Sequence, residues 1–147
     1  MPAVEATIYI NRTPQETFAF ISDYERDPRW RSEVIEMSYQ NPGPTSLGRR
    51  VLEKSKSFGR RLETLTEVTE YEPDSKIVLR SLSGPTPIIV YRFITPDGTG
   101  TLFTYRLEVD VSKEWFFRLL GPLLMPLYQR TLETYLKRLK QILESER

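Results

Sequence analysis

The sequence predicts an α+β fold: a seven-stranded antiparallel sheet curled around one long C-terminal helix, with two short helices after the first strand. Three observations carry this prediction. From Tyr128 onward, Leu132, Tyr135, Leu136, Leu139, Ile142 and Leu143 recur at spacings of three and four, and charged residues such as Glu133, Lys137, Arg138 and Lys140 fill the positions between them. That is a helix with one apolar stripe and one charged face. Between Val34 and Val111 the period is two instead, in stretches punctuated by Pro, Gly and Asp, which reads as strands and turns. The links between these stretches are short, so consecutive strands pair antiparallel. A sheet with one apolar face needs a cover, and the helix supplies it.

The elements follow in order. Val4 to Asn11 (VEATIYIN) alternates and is rich in β-formers, with Val4, Ala6, Ile8 and Ile10 on one face. Thr13-Pro14-Gln15-Glu16 is a capping box with Pro at the first helical position. It opens a short helix whose apolar side is Phe18, Phe20 and Ile21. Tyr24 to Arg31 (YERDPRWR) is a second short helix or turn, broken by Pro28, with Trp30 facing inward. Six strands follow, at Val34–Gln40, Gly48–Lys56, Arg60–Tyr71, Lys76–Leu82, Pro87–Thr95 and Gly100–Val111. The last helix is expected from about Ser112 to Glu144, with Ser112 as N-cap and Glu114 in its first turn. Its first part, WFFRLLGPLLMPLY from Trp115 to Tyr128, is apolar nearly all round and holds Gly121, Pro122 and Pro126. Each proline removes a backbone donor, so the helix is expected to bend or break there. That stretch would then be a mobile door beside an internal cavity.

The 147 residues are enough for one domain spanning 1–147 with a real core. Charge is balanced, 21 basic residues against 20 acidic, which argues against a nucleic-acid partner. Met1 to Glu5 leads straight into a strand, so no signal peptide is expected and the cytoplasm is the default compartment. There is no Cys and no His. Disulfides, thiolate nucleophiles, imidazole bases, a Ser-His-Asp triad and Cys- or His-ligated metals are therefore excluded. No metal and no cofactor is expected, and any catalysis would fall to carboxylates, Tyr, Lys, Arg, Ser or Thr.

Particular residues sharpen the picture. They are the Thr13-Pro14 helix entry, Asp23 with Pro28 and Trp30, Gly48 opening a strand, Phe58-Gly59-Arg60, Glu67-Val68-Thr69-Glu70-Tyr71-Glu72-Pro73, Ser83-Gly84-Pro85, Gly100-Thr101 and the terminal helix. In this order and spacing the chain resembles the START/Bet v 1-like (SRPBCC) superfamily, and within it the polyketide cyclase/dehydrase-like branch. The resemblance covers essentially the whole chain and implies a helix-grip fold. It also implies a cavity for a hydrophobic small molecule such as a lipid, polyketide, steroid or quinone. A few members are cyclases, aromatases or dehydratases. Most of the matching residues are turns and packing positions, so they transfer fold and not chemistry.

Strand alternation assigns faces. Phe103, Tyr105, Leu107 and Val109 should look at the helix, as should Ile89, Tyr91 and Phe93. Val51 brings Glu53 to the inner face, and Val68 brings Thr66 and Thr64. Met37 and Tyr39 are inner residues of the strand at 34–40. On the helix side, Leu124, Tyr128 and Leu132 should close a largely apolar cavity. Glu53 is the candidate catalytic group, since a carboxylate facing an apolar space has a raised pKa; the plainer reading pairs it with Arg or Lys. The tyrosines combine an apolar body with a polar tip, which suits an amphipathic ligand. Trp30 reads first as a plug under the short helices and second as a contact at the pocket mouth. Arg80, Arg92 and Arg106 read as outer-face charges, and Ile88, Val90 and Ile94, sharing a face with Arg92, as an outer apolar stripe that hints at a homodimer contact.

The function these residues favour is a carrier or sensor that binds a hydrophobic or amphipathic small molecule. The alternatives are a cofactor-independent cyclase, aromatase or dehydratase using Glu53 and a Tyr as acid–base groups, and a regulatory module docking a protein through the helix gate. Transient membrane contact stays open as a further partner.

Overall fold

The computed structural model describes residues 2–57, 59–110 and 115–145, with side chains in the last helix from residue 123 onward. The strands are β1 (Ala3–Ile10), β2 (Val34–Tyr39), β3 (Arg50–Ser57), β4 (Arg60–Glu72), β5 (Lys76–Ser83), β6 (Ile88–Asp97) and β7 (Gly100–Val109). Helix α1 (Pro14–Ile21) and a 3-10 helix (Tyr24–Arg29) lie between β1 and β2, and α2 (Trp115–Ser145) ends the chain. All strand pairs are antiparallel, in the order β1-β7-β6-β5-β4-β3-β2. The first two strands are therefore the two edges, and α1 with the 3-10 helix must carry the chain from one edge to the other. Register shifts at Val34/Glu36, Leu65/Thr66 and Val68/Glu70 add local twist, which helps the sheet curl around α2.

Local chemistry starts and stops these elements. The Thr13 hydroxyl accepts from the Glu16 N–H at 3.1 Å, and Pro14 occupies the first turn, where its missing N–H costs nothing. β6 runs on through Pro96 and Asp97, two residues beyond its predicted end. Asp97 pairs with Gly100, leaving a two-residue connection with Gly98 at φ 59°, the left-handed conformation such hairpins need.

The predicted helix stripe holds: Leu132, Tyr135, Leu136, Leu139, Ile142 and Leu143 are all buried against the core that includes Val4, Ala6, Ile10 and Phe103. Of the expected bend or break at Pro122 and Pro126, a break does not occur: α2 is helical from Trp115 to Ser145. Each proline removes one bond from a ladder that continues on both sides, and a helix this long holds across two such gaps. The proposed Ser112 cap, Phe58 and the C-terminal end of the last predicted strand at Val111 lie outside the described residues, as do the side chains of 115–122 that would form the door.

One strand has its faces reversed from expectation. In β6, Val90, Arg92 and Ile94 are buried, while Tyr91 and Phe93 stack on the other face at 5.6 Å between ring centroids. The cause is register. Val90 lies opposite Leu107, Arg92 opposite Tyr105 and Ile94 opposite Phe103, and directly paired residues share a face. Both faces of β6 are apolar enough to be inner, so the expectation turns on placing Arg92 outside, and Arg92 is 1% exposed. The outer stripe of Ile88, Val90 and Ile94, and the dimer contact it suggested, fall with that assignment.

Candidate functional site

Alternate residues of five elements converge on one cavity of about 150 Å³ between sheet and helix. β3 contributes Glu53, Ser55 and Ser57; β4 contributes Leu62, Thr64 and Thr66; β6 contributes Ile88, Val90 and Arg92; β7 contributes Tyr105 and Leu107; α2 contributes Tyr128. Met37, Leu79, Arg31 and Glu33 complete the described lining. The cavity surface is largely apolar, as expected, but its lining also holds an ionic cluster. Leu62, Leu79, Ile88, Val90 and Leu107 make one wall, and an ionic cluster makes the other. The reason is that inner positions of β3 and β4 are hydroxyls and a carboxylate, while the Tyr24–Glu33 segment adds charges that strand periodicity cannot report.

The cluster is built on Asp27, which is completely buried. Its Oδ1 accepts from Arg92 Nη1 at 3.1 Å and its Oδ2 from Arg31 Nη1 at 3.0 Å and from Arg92 Nη2. Arg92 Nη1 also donates to the Ile21 carbonyl at 2.7 Å, and the guanidinium lies 4.2 Å from the centre of the Tyr24 ring. Buried charges are tolerated only when paired and hydrogen-bonded in this way. Arg31 passes the network to the cavity: its Nη1 meets Glu53 Oε1 at 2.8 Å, and its Nη2 lies 3.8 Å from Glu33 Oε1. The Tyr128 hydroxyl donates to the same Glu33 oxygen at 3.4 Å.

These contacts set the protonation states. Burial works against the Arg31 charge, but Glu53 leads the groups that more than offset it, so Arg31 stays a cation far above neutral pH. Burial, followed by the charge of Arg92, governs Tyr24, whose net shift is upward. Burial also pushes the Tyr105 and Tyr128 hydroxyls up, so both are neutral donors. Glu33 is raised above its ordinary 4.5, first by burial and then, against the pull of Arg31, by the nearby Glu53 charge. The sign follows directly. A carboxyl whose folded pKa exceeds its unfolded one contributes stability that is complete below about 4.5 and is lost as pH rises through the folded value. Glu33→Gln should therefore gain stability relative to the parent as pH climbs from 4 to 8, read from urea midpoints across that range. A constant difference would place Glu33 in water.

The structure brings Glu53, Tyr105 and Tyr128 to the cavity. Phe103 and Leu132 lie on the expected faces but in the solid core beside it, and Leu124 is half-buried outside the lining. Trp30 sits behind the wall, edge-on to Phe103 and Tyr105. Tyr39 is outside: its hydroxyl takes the Tyr24 N–H at 2.9 Å and meets Thr45 Oγ1 at 2.6 Å, tying β2 to the short helices. Tyr91 and Phe93 are on the opposite side of the sheet. Glu53 has the arginine partner that the plainer reading gave it. Sequence reasoning missed Asp27, Arg31, Glu33 and Arg92. One signal was available: Arg92 is a lone Arg in the middle of a strand that is apolar on both faces.

The family model described as polyketide cyclase/dehydrase and lipid transport matches residues 1–144. A search of curated proteins finds no match. Among solved structures, the protein TTHA0849 of Thermus thermophilus superposes with a TM-score of 0.82 at 22% identity, covering 98% of each chain. A START superfamily protein of Mycobacterium smegmatis gives 0.76 at 20% identity over 97% of each chain. The di-domain aromatase/cyclase StfQ of the steffimycin biosynthetic pathway gives 0.78 at 15% identity, over 97% of this chain and 51% of its own. At these identities the superpositions establish the fold. Among the described residues no helix is long and apolar enough to cross a membrane.

Proposed function

The chain belongs to the polyketide cyclase/dehydrase and lipid transport family of the START/Bet v 1-like superfamily, and from that we propose that it holds a small amphipathic molecule between sheet and helix, as a carrier or sensor. The observation that carries this reading is the cavity itself: about 150 Å³, lined by apolar side chains together with an ionic cluster. Protein interiors are otherwise close-packed, and an apolar space of roughly this size accommodates a benzene-sized guest. Most of the cluster's hydrogen-bonding capacity is spent on holding Arg31 and Arg92, which suits recognition more than turnover.

Two measurements test it. Native mass spectrometry of gently extracted protein should show a co-purified small molecule. Val90 lies between Leu79 and Leu107 in the apolar wall, so Val90→Phe should fill the space and weaken binding of a hydrophobic fluorescent probe by about tenfold or more, roughly 1.4 kcal/mol. Unchanged probe affinity in a folded Val90→Phe protein would move the binding site elsewhere.

A second reading, acid–base catalysis, is favoured by Glu33 rather than Glu53. Glu33 has the raised pKa and a tyrosine donor on its carboxylate, whereas Glu53 is held by Arg31. Under this reading a bound molecule would be recovered with altered mass, and Glu33→Gln would slow that change by about 10² or more.

A further inference from the structure

Arg31 reaches the cavity with its charge met and its hydrogen bonds unfinished. Its Nη1 lies 3.0 Å from Asp27 Oδ2 and 2.8 Å from Glu53 Oε1. Its Nη2 lies 3.8 Å from Glu33 Oε1, too far for a hydrogen bond. Among the described residues neither Nη2 nor Nε donates to any acceptor. In a planar guanidinium these two N–H groups point the same way and form one edge of the fork. Arg31 lines the cavity and is only 6% exposed, so bulk water serves that edge poorly. A second donor stands beside it. Tyr105 also lines the cavity, is buried, and has its ring centre 5.9 Å from the Arg31 guanidinium. Its hydroxyl keeps its proton, and among the described residues it makes no hydrogen bond. Arg92 Nε lacks a partner too, but that atom is itself buried, which leaves Arg31 as the guanidinium that can receive a guest.

Charge decides which acceptor fits. Arg31 already has Asp27 and Glu53 against it and Glu33 nearby, so a guest carboxylate would be a further anion in the same cluster. A guest ammonium would meet the guanidinium itself, and the face of Tyr105 is taken by Arg31 and Arg92. A neutral carbonyl oxygen needs no counter-charge, and its two lone pairs can accept from both donors at once. We infer that the guest is a neutral carbonyl compound of about one ring, a ketone, ester or amide, with its oxygen on the Nε–Nη2 edge of Arg31 and the Tyr105 hydroxyl and its ring on Leu79, Val90 and Leu107. The inference rests on the proposed binding role and adds the class of ligand and the two residues that select it. The volume sets the limit of one ring. Asp27 is then a positioning residue: it holds Arg31 by Nη1 and leaves the other edge free.

The test titrates acetophenone, its isostere isopropylbenzene, and benzoate into the full chain near neutral pH by calorimetry. Acetophenone should bind at least about tenfold tighter than benzoate. Arg31→Lys keeps a cation for Asp27 and Glu53 but has no fork, and should weaken acetophenone by about tenfold while isopropylbenzene binds as before. Tyr105→Phe keeps the ring and should weaken acetophenone by about threefold, again sparing isopropylbenzene. Should Arg31→Lys not fold, Tyr105→Phe carries the comparison alone. If benzoate matches acetophenone, or if either folded variant leaves the acetophenone-to-isopropylbenzene affinity ratio unchanged, the inference is overturned and the binding role stands. The inference also fails if none of the three compounds binds, and the binding role falls with it only if the hydrophobic probe is refused as well.

Discussion

Replacing Asp27 with Ala should destabilise the protein by about 3–5 kcal/mol, the cost of leaving a buried partner charge without its counter-ion. Asp27 is fully buried and accepts three bonds from Arg92 and Arg31. Without it, Arg92 keeps the Ile21 carbonyl and the faces of Tyr24, Trp30 and Tyr105. Arg31 keeps Glu53, so the loss should fall mainly on Arg92. A domain of this kind has roughly 5–15 kcal/mol in total, so the urea midpoint should fall by a large fraction. The double replacement Asp27→Leu with Arg92→Met separates charge from packing. Exchanging a buried pair for apolar groups is often neutral or better, so the double variant should recover most of the loss. A single-variant loss below about 1 kcal/mol, the scale of an exposed pair, would mean that water reaches the cluster.

The same pair explains what the sequence could and could not disclose. β3, β4 and β7 were legible because each has one face that cannot be outer: Val51 brings Glu53, Val68 brings Thr64 and Thr66, and Phe103 brings Tyr105. β6 was not, because Ile88, Val90 and Ile94 compete with Ile89, Tyr91 and Phe93 for the inside on nearly equal terms. Only Asp27, 65 positions away, makes the arginine side the inner one, and strand alternation has no access to a pairing that distant. Glu33 was invisible for another reason. It sits in a turn, where no period applies, and it becomes part of the cavity only because Arg31 and Tyr128 meet it there. Helix α2 shows the reverse case. Its apolar stripe is legible residue by residue, because three- and four-residue spacing survives whatever the helix packs against, whereas two prolines weigh less than the rest of the ladder.

Replacing Trp30 with Ala should cost about 3–5 kcal/mol, the usual range for removing a buried large aromatic. Trp30 is 2% exposed and stands edge-on to Phe103 at 6.2 Å and to Tyr105 at 6.1 Å, with the Arg92 guanidinium 5.1 Å from its ring centre. It therefore joins the apolar core to the ionic cluster from behind. Its removal leaves a void under Tyr105, and the surrounding strands are pinned by their ladders and can close it only in part. Trp30→Phe keeps an aromatic ring there and should cost clearly less than the alanine variant. Binding separates the plug from a ligand contact. Tyr105 lines the cavity and Trp30 does not, so Trp30→Ala, assayed where it is still folded, should bind the same single-ring guest and admit a larger one as well. Loss of the single-ring guest with the fold intact would instead make Trp30 part of the binding surface, with Tyr105 moving aside to expose it.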